Sequence, residues 1–211
     1  MLFQLLSDPI LLIPVLAAII LAFTFHEFAH AAAAELLGDS TPKSLGRLTL
    51  NPISHIDPLG FFLLILAGFG WGKPVPFNPV NLKNPKSGSA IIGLAGPFAN
   101  LILGAMALLA IIVLRNLGLL DPNSLLTFFL VILVQFNVVL MIFNLIPVPP
   151  LDGSKILLAV VPDKYAVFKH NLINYGPTIL FGLILLDAFS NISIFSRLFS
   201  FFLDGVNRLI V

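Results

Sequence analysis

From Pro9 to Phe25 no side chain can carry a charge, and the next five residues, HEFAH, bring two histidines and a glutamate. An uncharged run of this length restricts the fold severely. Inside hydrocarbon every backbone amide must find a partner within the protein, so a crossing segment is a helix or part of a closed barrel. About 20 apolar residues make a helical crossing, and the run is continuous rather than alternating, which favours the helix. Composition agrees: of 211 residues, 58% are hydrophobic and 10% charged, where soluble domains are about one quarter charged. The chain is therefore solvated mainly by lipid. Its net charge of +1 and the absence of a basic patch imply no nucleic-acid partner. Without cysteine there is no disulfide and no thiolate metal site.

Read along its length, the chain gives an all-α polytopic membrane protein with about five or six membrane segments. The first is Pro9 to Leu37, closed by Gly38-Asp39; with no basic residue before it, it reads as a retained helix rather than a signal peptide. After a polar, proline-broken loop, Leu59 to Gly70 is too short to cross comfortably and reads as a re-entrant or tilted segment. The stretch WGKPVPFNPVNLKNPKSG is a loop or short hairpin. Ala90–Leu114 and Leu125–Ile146 are spans joined by a short turn, LDGSKILLAVVP is a short helix, and YGPTILFGLILLDAF is a last, short span. From Asn191 to Val211 apolar and charged residues alternate at helical spacing, as in an amphipathic helix on a membrane surface. All 211 residues form one membrane-embedded domain, a core over 9–163 and a C-terminal span and amphipathic tail over 164–211.

Lysine and arginine orient the spans. Lys43 and Arg47 follow the first, Lys73, Lys83 and Lys86 precede the third segment, and Lys155, Lys164 and Lys169 follow the fourth. These stretches belong on the cytoplasmic side. The first and fourth spans then run in the same direction, and HEFAH and Asp152 share the cytoplasmic half.

In H-E-x-x-H on a helix, His26 and His30 lie four residues apart on one face and can grip one metal ion. Glu27, one step around, is placed to act as general base on water. An ionisable group at mid-bilayer costs about 2.5–3.5 kcal/mol on insertion scales, so these residues mark function. A hydrolytic zinc site takes a third protein ligand and keeps one position open. Glu35, nine residues past His26, is rotated about 900° and faces away, and Asp39 reads as a terminating residue. His55 and Asp57 in the loop stay possible. Asp152 is the better candidate, a carboxylate in apolar surroundings after a proline cluster; its other reading is a cap for the helix that follows.

Taken together, FHEFAHAAAAELLGD (25–39), LTLNPISHIDPLG (48–60), GWGKPVPFNP (70–79), AGPFAN (95–100) and NLIPVPPLDG (144–153) resemble the site-2 protease family of intramembrane zinc metalloproteases, in its small prokaryotic form without a PDZ domain. The resemblance implies one Zn2+ per chain held by His26, His30 and Asp152, Glu27 as catalytic base, and Asn144 facing the site to orient substrate or polarise the scissile carbonyl. From the residues alone, Asn144 could equally be an interhelical hydrogen bonder. It further implies that Gly96, Pro97 and Asn100 form a close-packing or substrate-facing element, that Ala31–Ala34 make a surface for close helix contact, and that the GWGKPVPFNP loop lies near the cleft, as an edge for an extended substrate.

The expectation is an integral multi-pass protein of a prokaryotic cell membrane that hydrolyses transmembrane protein substrates within the lipid bilayer, its active site toward the cytoplasm. Nothing sets an oligomeric state. Two rivals remain: a metal-ion transporter, which would need further polar groups along a path, with Gln135, Asn137 and Asp187 the main ones available; and a non-catalytic scaffold, whose structural zinc would need a fourth ligand such as His55.

Overall fold

The computed structural model describes residues 9–67, 70–189 and 193–210. They form helices α1 (Pro9–Leu36), α2 (Thr41–Ser44), α3 (Pro58–Ala67), α4 (Pro85–Asn116), α5 (Leu125–Asn144), α6 (Gly153–Val160), α7 (Ala166–Phe189) and α8 (Ile194–Ile210), with three short 3-10 turns between them. Among the described residues the sole β-type pairing is a bridge between Ile56 and Gly72. The all-α expectation holds. Three described helices, α1, α4 and α5, are long and apolar enough to cross a membrane. The last span was expected from Tyr175; its helix α7 begins nine residues earlier, at Ala166.

Helices α1, α4 and α5 pack into one bundle. Ala18 of α1 sits in a buried cluster with Ala107 and Ile111 of α4 and Leu130, Leu133 and Val134 of α5. Between apolar helices in lipid, close van der Waals packing takes the place of the hydrophobic effect, and the alanines let the backbones approach. At the other end of α1, Ala31 and Ala34 are fully buried, and Ala34 packs with Leu82 and Ile92. Between these two levels His26 meets Asn100, which in turn meets Asn137. As numbers rise along α1 they fall along α4 and rise along α5, so α1 and α5 run the same way and α4 opposes them. The relative direction inferred from the basic residues is met.

The excursion after α2 leaves and returns at one point: besides the Ile56–Gly72 bridge, Lys73 N–H donates to His55 O at 2.8 Å. The expected re-entrant segment, Leu59 to Gly70, thus has its two ends fastened together; its residues 68 and 69 lie outside the described set. The amphipathic tail is helical as expected, and part of its apolar face packs against α5. Phe195 and Phe199 lie 5.8 and 6.4 Å from Phe143, and Gln135 donates to Asn207 at 2.9 Å. These contacts run antiparallel along α5, so α8 follows that helix. Partly buried Val206 and Ile210, packed against the cluster of α1, α4 and α5, hold it there together with the Gln135–Asn207 pair.

Two residues past the end of α1 the chain turns at Gly38, whose φ of +103° suits glycine. The next residue, Asp39, is fully buried. Its carboxylate accepts from Thr41 N–H at 3.1 Å, Thr41 Oγ1 at 2.5 Å, Asn78 N–H at 2.6 Å and Asn81 Nδ2 at 2.8 Å, so one side chain fastens the 78–81 turn to the end of α1. Burial pushes the Asp39 pKa up, and hydrogen bonds from Thr41, Asn81 and Asn78 outweigh it, leaving it below the ordinary value of 3.8. A carboxylate with a depressed folded pKa stabilises fully above its unfolded value and loses that contribution as pH falls through the folded one. Asp39→Ala is therefore expected to lose about 1–3 kcal/mol at neutral pH. The gap in Tm between wild type and this variant, followed by thermal unfolding in detergent, should narrow as pH is lowered from about 6 toward about 3.

Candidate metal centre

The second half of α1 turns His26, Glu27 and His30 inward, where each is less than a tenth exposed. The imidazoles meet edge to face, their ring centroids 4.6 Å apart, and their Nε2 atoms stand 3.1 Å from each other. Asp152, beyond the end of α5, brings Oδ2 to 3.1 Å from both. Among the described residues His26, His30 and Asp152 are the one group of three or more His, Asp or Glu side chains whose donor atoms converge for a metal ion. Asp152 stands at the start of α6 without a side-chain capping bond, so the capping alternative does not account for its carboxylate.

The outer ring nitrogens decide what the inner ones can do. His30 Nδ1 lies 2.6 Å from Ile92 O, a carbonyl that can only accept, and His26 Nδ1 lies 2.6 Å from Asn100 Oδ1. The Asn100 amide nitrogen is committed to Asn137 Oδ1 at 2.8 Å and Ala22 O at 3.2 Å, which fixes its oxygen toward His26. Both neutral imidazoles thus carry hydrogen on Nδ1 and a lone pair on Nε2. Two lone pairs and a carboxylate oxygen within 3.1 Å need a proton or a cation between them. Bonds of about 2.0–2.1 Å in a tetrahedron separate ligands by about 3.3 Å, close to what is found, so the donor set fits zinc. Room for it comes from α4: a Cβ on Gly96 would stand 2.5 Å from His30 Nε2 and 2.6 Å from His26 Cε1.

Beside the cluster runs the extended stretch 72–77. Val75 N–H donates to Glu27 Oε2 at 3.0 Å, and Arg47, itself buried, donates to Lys73 O. Burial lowers the Arg47 pKa, while the Glu27 carboxylate pulls it up. The loop expected near the cleft is there.

The remaining sequence candidates separate. Glu35 pairs with Lys43 at 2.9 Å, outside the site as expected. Asp57 Oδ1 accepts from Gly60 N–H at the start of α3, and His55 Nε2 is 2.8 Å from Thr49 O; neither joins the cluster. Asn144 donates to Leu140 O of its own helix at 3.0 Å. The polar residues a transport path would use are engaged in packing: Asn137 with Asn100, Gln135 with Asn207, and Asp187 with Phe195 N–H. The sequence placed Asn100 in a close-packing or substrate-facing element and did not connect it to His26 or to Asn137; a polar amide in each of two neighbouring spans was the available signal. Lys155, whose Nζ lies 2.7 Å from Asp152 Oδ1, was read only as an orienting charge.

The family model for peptidase family M50 matches residues 14–184. The chain is 43% identical over 172 residues to "Putative zinc metalloprotease YwhC" of Bacillus subtilis, covering 80% of this chain and 78% of that protein. It is 33% identical over 145 residues to "Putative zinc metalloprotease Rip2" of Mycolicibacterium smegmatis, covering 66% of this chain and 54% of the relative. "Zinc metalloprotease MJ0392" of Methanocaldococcus jannaschii is 36% identical over 113 residues, 48% of this chain and 30% of that one. No solved structure matches.

Removing the acceptor that orients His26 should weaken the site without touching any of the three converging side chains. Asn100→Ala is expected to lower zinc affinity about 10–100-fold, read by competition with a chromophoric chelator.

Proposed function

The chain belongs to peptidase family M50, and from that premise we propose an intramembrane zinc metalloprotease that cleaves transmembrane protein substrates, with His26, His30 and Asp152 as its metal ligands and Glu27 as its general base. The observation that carries this reading is the convergence of three buried donors, both imidazoles with Nδ1 already committed, inside a bundle of membrane-length helices. Zinc bound there supplies a Lewis acid for the scissile carbonyl and brings the pKa of a water molecule to about 7.

The rest falls to this chain. Val75 N–H holds one Glu27 oxygen at 3.0 Å, leaving the other to take a proton from the attacking water and deliver it to the leaving amine nitrogen. Asn144, where α5 ends before the turn to Asp152, would orient the substrate carbonyl once its amide leaves Leu140 O. A helical substrate has its amides already paired, so it must unwind to be cut, and the extended stretch 72–77 offers backbone groups to the unwound strand. Water would enter from the end of the bundle marked by Lys43 after α1, Lys73 in the stretch beside Glu27 and Lys86 at the start of α4. By the positive-inside bias that end is cytoplasmic, and the bacterial and archaeal relatives favour a prokaryotic cell membrane.

Metal analysis beside a cleavage assay on a model transmembrane peptide tests the assignment. Glu27→Gln should keep one zinc per chain and lose about 10²–10⁴-fold in cleavage rate; near wild-type cleavage would remove Glu27 from the base role. Asp152→Ala should lose zinc, and a full complement of metal in that variant would exclude Asp152 as ligand.

A further inference from the structure

Asp152 presents its two oxygens to different partners. Oδ2 faces both histidines at 3.1 Å, while Oδ1 accepts from Lys155 Nζ at 2.7 Å. Lys155 lies three residues on, in the first turn of α6, so its side chain rises on the same side as Asp152. Its path is built into the bundle: a Cβ on Gly93 of α4 would stand 3.0 Å from Lys155 Cβ and 3.1 Å from its Cδ. The ammonium lies 5.7 Å from the centre of the Phe77 ring, at the end of the extended stretch beside Glu27. Helix, glycine notch and aromatic ring together leave this lysine little freedom to point elsewhere.

We propose that Lys155 is a positioning residue that holds Asp152 Oδ1 away from the metal, so that the carboxylate binds through Oδ2 alone and a coordination position stays open for water. A carboxylate can offer a metal one oxygen or two, and a hydrolytic zinc site needs three protein ligands and a vacant place. A charge-assisted hydrogen bond of 2.7 Å occupies Oδ1. Without it Oδ1 is free to swing onto the metal and fill that place. Arginine can make the same bond; methionine, of similar length, cannot.

This inference rests on the metalloprotease reading, and its test separates the two. X-ray absorption at the zinc edge of detergent-purified protein counts the oxygen neighbours of the metal. Lys155→Met is expected to keep one zinc per chain, gain one oxygen neighbour over wild type and cleave a model transmembrane peptide about 10–100-fold more slowly. Lys155→Arg should restore the wild-type oxygen count. A merely structural lysine would change thermal stability without changing that count. If Lys155→Met holds zinc with the wild-type set of neighbours, the proposal is overturned while the metal site stands; if wild type itself binds no zinc, the underlying reading fails instead. Should Lys155→Met not accumulate in membranes, Lys155→Gln is read by the same count, and an unchanged set of neighbours overturns the proposal equally.

Discussion

Two imidazole lone pairs and a carboxylate oxygen crowded within 3.1 Å of one another repel unless a positive charge lies between them. In apolar surroundings that repulsion is screened weakly, so the arrangement needs support from the protein around it. Each outer ring nitrogen is tied to an oxygen on α4, one to Ile92 O and the other to Asn100, which is itself tied to α5. The bundle is therefore more than a container for the site. α1 supplies the rings, α4 sets their tautomers, α5 braces α4, and the chain beyond α5 returns the carboxylate.

α4 carries much of this without contributing a donor atom to the cluster. Gly96 admits the rings, Gly93 admits the Lys155 side chain, and Ile92 and Asn100 lie to either side along the same helix. Small residues in membrane helices are commonly read as packing surfaces. Here close approach of backbone and functional side chain is the same event, and a methyl group added at Gly96 would meet an imidazole instead of a lipid tail.

Much of the fold was legible because lipid leaves few choices. The uncharged runs marked α1, α4 and α5, and the distribution of lysines set their relative directions. H-E-x-x-H identified two of the three cluster members from helical spacing alone. Asp152 could be argued from its apolar neighbours, yet its meeting with the histidines is a tertiary fact, 122 residues from His30. The Asn100–Asn137 pair was hidden for the same reason: each asparagine looks like an isolated polar residue until the helices are set side by side. The packing of α8 along α5 was not legible because amphipathic periodicity reports that a helix has two faces and says nothing about what covers the apolar one; here Phe143 and the buried cluster of α1, α4 and α5 cover part of it.

The clasp between residues 55–56 and 72–73 makes the stretch it encloses a separable part of the architecture. Because its two strands of chain are joined at the base, the excursion can lengthen, shorten or change composition while the distance its stem must bridge stays the same, and closure entropy grows only slowly with length. The stem thus keeps one spacing whatever the length of chain it encloses, while Leu64 within the excursion packs beside Val15 and Ile19 of α1.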